Sequence, residues 1–221
     1  MAVCEAARQL DAAIDTDPAW HWFEPELSYD NARLPHALLA AGIRLGNADF
    51  AARALSTLDW YLGQVGLGGA AVPMLRCVGN RWRTRAAAAA DEGDEQPLDA
   101  AAVVEALVAA WQATGQPRYA RLALAAFGWF HGHNRARVPV YDAATGGCHD
   151  GLSACGVNAN EGAESTLAYH QALAALRHAG LTLPGPAQPP TDPPTQPSVR
   201  DRPRPERGTA RHGTVAPGQP F

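Results

Sequence analysis

SYDNARLPHALLAAGIRLGNADFAARALSTLDWYLGQ (28–64) and PLDAAAVVEALVAAWQATGQPRYARLALAAFGWFHGH (97–133) are two copies of one unit. Laid on each other without a gap they share twelve of 37 residues, among them Asp30/Asp99, Ala37/Ala106, Leu38/Leu107, Gly46/Gly115, Leu55/Leu124, Trp60/Trp129 and Gly63/Gly132. Phe50/Tyr119 and Tyr61/Phe130 keep an aromatic ring. A 69-residue period marks a tandem array. In each copy an Ala/Leu-rich helix, apolar nearly all round and so suited to an inner position, turns at Gly46 or Gly115 into an amphipathic partner. Along 48–63, Phe50, Ala54, Leu55, Leu58, Tyr61 and Leu62 share a face from which Arg53, Ser56 and Asp59 are absent. Residues 3–15 and 161–179 read as further helices, ended by Thr16-Asp17-Pro18 and by Gly180. The expected fold is all-α, built of tandem helical hairpins.

The connections are unequal. Inner-to-outer turns are about four residues long, whereas the outer-to-inner connections run over 65–97 and 134–160. Loops of that length inside a domain tend to carry function, and they meet the three inner helices where each is entered through a polar, acidic segment. That end is the expected working face.

Composition narrows the classes. The net charge of −4, with no long basic run before residue 200, speaks against a nucleic-acid-binding body. The absence of lysine removes Schiff-base and phosphate-loop lysine chemistry. Four cysteines without a CxxC spacing predict a reduced, cytoplasmic protein. No signal peptide and no membrane span are expected. From Pro184 onward the chain holds 11 of its 18 prolines and few large apolar residues, which predicts a folded domain over 1–182 and a disordered tail over 183–221.

Candidate site residues fall into three groups. Trp20, His21, Trp22, Glu24, Tyr29, Asp30, Asn31 and Arg33 place aromatic faces beside carboxylates and amides, the combination that binds sugars. The bland alternative makes the tryptophans core and Asp30 or Asn31 a helix cap. In the second group Pro97 suits a first turn, and the macrodipole accounts for Asp94, Glu95 and Asp99. Gln96 remains a binding candidate, and the recurrence of Asp at 30 and 99 reads as a repeated cap. In the third group Gly146, Gly147, Gly151 and Gly156 surround Asp142, His149, Asp150, Asn158, Asn160, Glu161 and Glu164. Glu161 and Glu164 are expected in the first turn of the last helix, facing one way, as acid and base with Asp150 nearby and Asn160 binding substrate. His131, His133 and His149 lack a His-x3-His spacing, and adjacent Cys148 and His149 do not face each other. No metal, cofactor or thiol nucleophile is expected.

Three segments carry a resemblance: WHWFEPELSYDNARLPHALL (20s–30s); GN at 79–80 followed by DEQPLDAAAVVEA; and FGWFHGHN, VYDAATGGCHDGL and VNANEGAESTLA. Over about residues 1–180 the chain resembles the C-terminal helical region attached to many bacterial retaining glycosyltransferases of the two-Rossmann-domain type. That region is similar in turn to the six-hairpin (α/α)6 toroids of glycosidases and N-acylglucosamine 2-epimerases. The resemblance implies a carbohydrate substrate and a glycosyltransferase catalytic domain as partner. Such a toroid has twelve helices and this chain reads as six, without a Gly-rich strand-to-helix turn. An incomplete toroid, from a truncated or split gene product, is therefore expected.

Three functions follow: a carbohydrate-active domain binding or cleaving a glycoside at the long-loop face, a non-catalytic helical module packed on a glycosyltransferase, and an epimerase-like isomerase. Half a toroid leaves apolar flanks on its end helices. Self-association is expected, and a monodisperse monomer by light scattering would count against it.

Overall fold

The structure, a computed structural model, describes residues 2–69, 72–78, 83–86, 94–153 and 155–182. They belong to one unit, Met1–Pro184. The expected tail over 183–221 and the Gly79-Asn80 pair lie outside the described residues.

Six α-helices are present among the described residues: α1 (Ala2–Ala13), α2 (Arg33–Leu45), α3 (Ala48–Gln64), α4 (Pro97–Thr114), α5 (Pro117–Phe127) and α6 (Ala163–His178). The chain is mostly helical, as expected, but not wholly so. The long loops carry two small antiparallel sheets, one pairing β1 (Glu26–Leu27) with β2 (Arg83–Thr84) and the other β3 (Leu152–Ser153) with β4 (Gly156–Val157). Two-residue strands are too short for a period-2 pattern to announce them. No helix among the described residues is long and apolar enough to cross a membrane.

The two copies of the repeat become the α2–α3 and α4–α5 hairpins. Gly46 and Gly115 end their first helices in the left-handed conformation, at φ +64° and +67°, where glycine has no Cβ to clash. Asn47 then starts α3 by accepting the backbone N–H groups of Asp49 and Phe50. Helix α4 packs on α5, α6 and α2, α2 packs on α3, and α1 lies against α2 and α3.

Of the three helices expected to be inner, α4 is the most enclosed, with a strip at Leu98, Glu105 and Ala109 and its C-terminal end partly open. Ala100, Ala101, Ala102, Val103, Val104, Ala106, Leu107 and Ala110 are all fully buried. Burial of a Val or Leu side chain contributes about 1.5–3 kcal/mol, and the alanines let neighbouring helices approach. Helix α2 buries Pro35, Leu38, Leu39 and Gly42 but exposes Ile43 and Leu45. Helix α6 buries Ser165, Ala168, Tyr169, Ala172 and Leu176 but exposes Leu167. A composition suited to an inner helix is thus one-sided in α2 and α6: α2 leaves part of its surface to water although α1, α3 and α4 pack on it, and α6 packs on α4 and α5.

At the α2–α3 crossing a Cβ on Gly42 would stand 2.7 Å from the backbone nitrogen of Ala51, whereas Gly63 of α3 has open space around it. Gly42→Val is expected to destabilise the chain by about 2 kcal/mol or more through overpacking, and Gly63→Ala to stabilise it by up to ~1 kcal/mol through helix propensity. Urea unfolding of the two variants checks the pair, and equal effects would contradict the close crossing.

Candidate functional site

The polar entrances of α2, α4 and α6 supply the groups that converge. Asp99, in the first turn of α4, is buried and accepts the backbone N–H of Asp30 on Oδ1 at 2.7 Å. The two residues are equivalents in the repeat, and they bond to each other. Neither caps its own helix, which corrects the sequence expectation. The N-cap of α2 is Ala32 and that of α4 is Gln96, both without a side-chain capping bond. Asp30 adopts a positive φ of 50°, uncommon for a residue with a Cβ, and turns its carboxylate to Arg33 at 3.2 Å. Arg33 reaches on to Glu105 of α4. Asn31 is buried and holds the loop by accepting the Ser28 N–H at 3.0 Å.

Burial pushes the Asp99 carboxyl up to about 8, opposed by the Asp30 N–H and reinforced by the charges of Asp30 and Glu95. Its Oδ2 is buried without a partner. Tyr29 is about half exposed, at 49%. Its phenol is raised by burial and by the neighbouring Glu164 carboxylate, with Asp99 and Asp30 adding to the effect. Burial also raises Asp30, against the pull of Arg33. Burial lowers His36, one turn along α2 and beside Glu105. Tyr29, Asp30, Arg33, Glu105 and Glu164 thus come together from α2 and the segment leading into it, from α4 and from α6.

The first aromatic run goes elsewhere. Trp20 and Trp22 are buried, and Trp22 stacks on Tyr61 and Trp60 with ring centroids 5.2 and 5.8 Å away. The Trp20 indole N–H donates to the Glu24 carbonyl at 2.7 Å. His21 bridges the Asp15 carbonyl and the Ser56 hydroxyl at 3.0 and 3.2 Å. These rings join the end of α1 to α3 and offer no free face to a sugar. Glu24 is exposed and lines a shallow hollow with Asp15 and Arg85.

The Gly-rich segment separates residues expected to act together. Asp150 accepts from Asn160, from the Gly162 N–H at 2.7 Å and from the Ser165 hydroxyl at 2.8 Å, capping α6 from outside its chain segment. The Asn160 bond first, then those from Ser165 and Gly162, hold its carboxyl below the usual range. Asp150 is therefore ionised at neutral pH and has no proton to give as a general acid. Gln96, Asp150 and Asn158 border one hollow of about 400 Å³.

Glu161 precedes the helix instead of opening it, since Gly162 is the N-cap of α6. It accepts the Thr145 hydroxyl at 2.9 Å and lies 3.8 Å from His149, while Glu164 turns to Tyr29. The expected acid–base pair is thereby divided between two places. Cys148 is buried, and burial, with Asp150 and Glu161, pushes its thiol up to about 12, so no thiolate is available at neutral pH. The ligand atoms of Asp142, His149 and Glu161 lie within 4.8 Å of one another, the one group among the described residues with the donors and spacing to hold a metal.

Sequence reasoning missed Glu95, which it assigned to the macrodipole. Glu95 is buried, accepts the Trp129 indole N–H at 2.6 Å and pairs with Arg135 at 2.9 Å. Its backbone exchanges hydrogen bonds with Leu152 at 2.9 and 2.8 Å. One residue thus ties the two long connections to each other and to the end of α5. The available signal was Trp129, a large buried indole that needs an acceptor.

A raised folded pKa means that Asp99 contributes most to stability below its unfolded value near 4, and that this is lost as pH rises to about 8. Asp99→Asn keeps the acceptor for Asp30 and removes the titration. The variant is expected to gain on the parent between pH 5 and 8 and level off above, by roughly 2 kcal/mol or more. Urea unfolding at fixed pH measures this, and a difference that does not change with pH would refute it. Glu95→Ala leaves the part-buried Arg135 without that carboxylate and the Trp129 indole without its acceptor, and is expected to cost about 2–3 kcal/mol in the same assay.

No family model and no curated protein sequence matches this chain.

Proposed function

We propose that the chain is a carbohydrate-binding helical domain, a segment of an α/α toroid of the glycosyltransferase-associated kind, with its binding site at the Tyr29–Glu164 end of α2, α4 and α6. The observation that carries this reading is Tyr29. It is a half-exposed ring beside Glu164, Asp30, Arg33 and Glu105. An aromatic face takes the C–H surface of a sugar, and carboxylates and a guanidinium take its hydroxyls. The hairpins α2–α3 and α4–α5 and the packing of α2 and α6 on α4 support the toroid reading. For glycoside cleavage the pair to consider is Asp30 and Glu164, since Asp150 is ionised and Glu161 turns away.

A second reading, a non-catalytic module that packs on a glycosyltransferase catalytic domain, is favoured by the exposed Ile43 and Leu45 of α2 and Leu167 of α6. Amide chemical-shift titration of the full chain with a panel of neutral and acidic oligosaccharides separates the two. Binding predicts shifts over 28–33 and 163–166, with Tyr29→Ala weakening affinity about tenfold, ~1.4 kcal/mol, and Tyr29→Phe much less. No shift with any sugar would leave the scaffold reading in its place.

A further inference from the structure

We propose that Asp142, His149 and Glu161 form a binding site for a divalent first-row cation such as Zn²⁺ or Co²⁺, apart from the Tyr29–Glu164 site and independent of what binds there. Two carboxylates and one imidazole present ligand atoms within 4.8 Å of one another on the loop that leads into α6. The His149 Nδ1 is buried and lacks a hydrogen-bond partner, and Glu161 Oε1 stands 3.8 Å from it. That gap is too long for a hydrogen bond, and a buried nitrogen left unsatisfied is destabilising. A cation drawn between the two at bonds of about 2.0–2.2 Å would satisfy the nitrogen and neutralise the carboxylates.

The ligands are held from behind. Asp142 Oδ1 accepts the Ala144 N–H at 2.7 Å, and Glu161 Oε2 accepts the Thr145 hydroxyl at 2.9 Å. The Asp142 N–H donates to the Gly147 carbonyl at 3.0 Å and the His149 N–H to the Val140 carbonyl at 2.9 Å, which sets Asp142 and His149 on facing arms of one tight hairpin. Gly147 leaves no room for a Cβ beside the Glu161 carboxylate. Partners of this kind orient metal ligands and raise affinity.

The donor set selects the ion. With one nitrogen, two carboxylates and no thiolate, it suits Zn²⁺, Mn²⁺ or Co²⁺ and disfavours soft Cu⁺. Three protein ligands leave coordination positions open, and a hollow of about 500 Å³ bordered by His131, Tyr141, Asp142 and His149 gives water or an oxygen ligand access to them.

The test is titration of chelator-treated full-length protein with Zn²⁺ by calorimetry and with Co²⁺ by absorption spectroscopy. Saturable one-to-one binding is expected, with a Co²⁺ spectrum free of thiolate charge-transfer bands. His149→Ala and the near-isosteric Glu161→Gln should each weaken it by about a hundredfold or more, while Glu164→Gln leaves it unchanged. Far-UV circular dichroism checks that the variants fold. If His149→Ala does not fold, the comparison of Glu161→Gln with Glu164→Gln decides alone. Absence of binding, binding indifferent to Glu161→Gln, or a thiolate signature from Cys4 or Cys155 would overturn the proposal.

Discussion

Burial of α4 along most of its surface is the constraint from which the rest of the structure follows. A helix touched by α2, α5 and α6 tolerates few large side chains, and the run Ala100–Ala101–Ala102 with Ala106 and Ala110 meets that demand. Its consequence is electrostatic. When the first turn of such a helix is buried, the acidic residue that the macrodipole favours there loses its water. Asp99 is that residue, and its raised pKa is a product of core packing, communicated to the surface through the Asp30 N–H.

Two buried acids four residues apart are accommodated in different ways. Glu95 has Arg135 and the Trp129 indole as partners, which oppose the upward push of burial on its carboxyl. Asp99 has one backbone donor and no cation, so it holds a proton instead. The first arrangement fastens loops together. The second leaves a titrating group beneath Tyr29 and Asp30, where it tunes the charge of the candidate site without reaching solvent.

The repeat, the glycine turns and the identity of the helices were legible in the sequence because each depends on local pattern. Gly46 and Gly115 could be read as helix ends from position alone, and both end helices. The candidate site was legible only in part. Tyr29, Asp30 and Arg33 belong to it, but Trp20 and Trp22 of the same run are core, since composition cannot say which face of a ring meets water. Glu161 and Glu164 have helical spacing, yet α6 starts between them, and where a helix starts depended on Asp150 reaching Gly162 from twelve residues away. The pairing of Tyr29 with Glu164 spans most of the domain and has no local signature.

The bond from Asp30 to Asp99 joins matching positions of successive units. At this junction the later unit supplies the acidic side chain and the earlier one the backbone donor. The contact therefore fixes the offset of one hairpin along the other, and a later unit lacking the acid could follow in sequence without seating at the same offset.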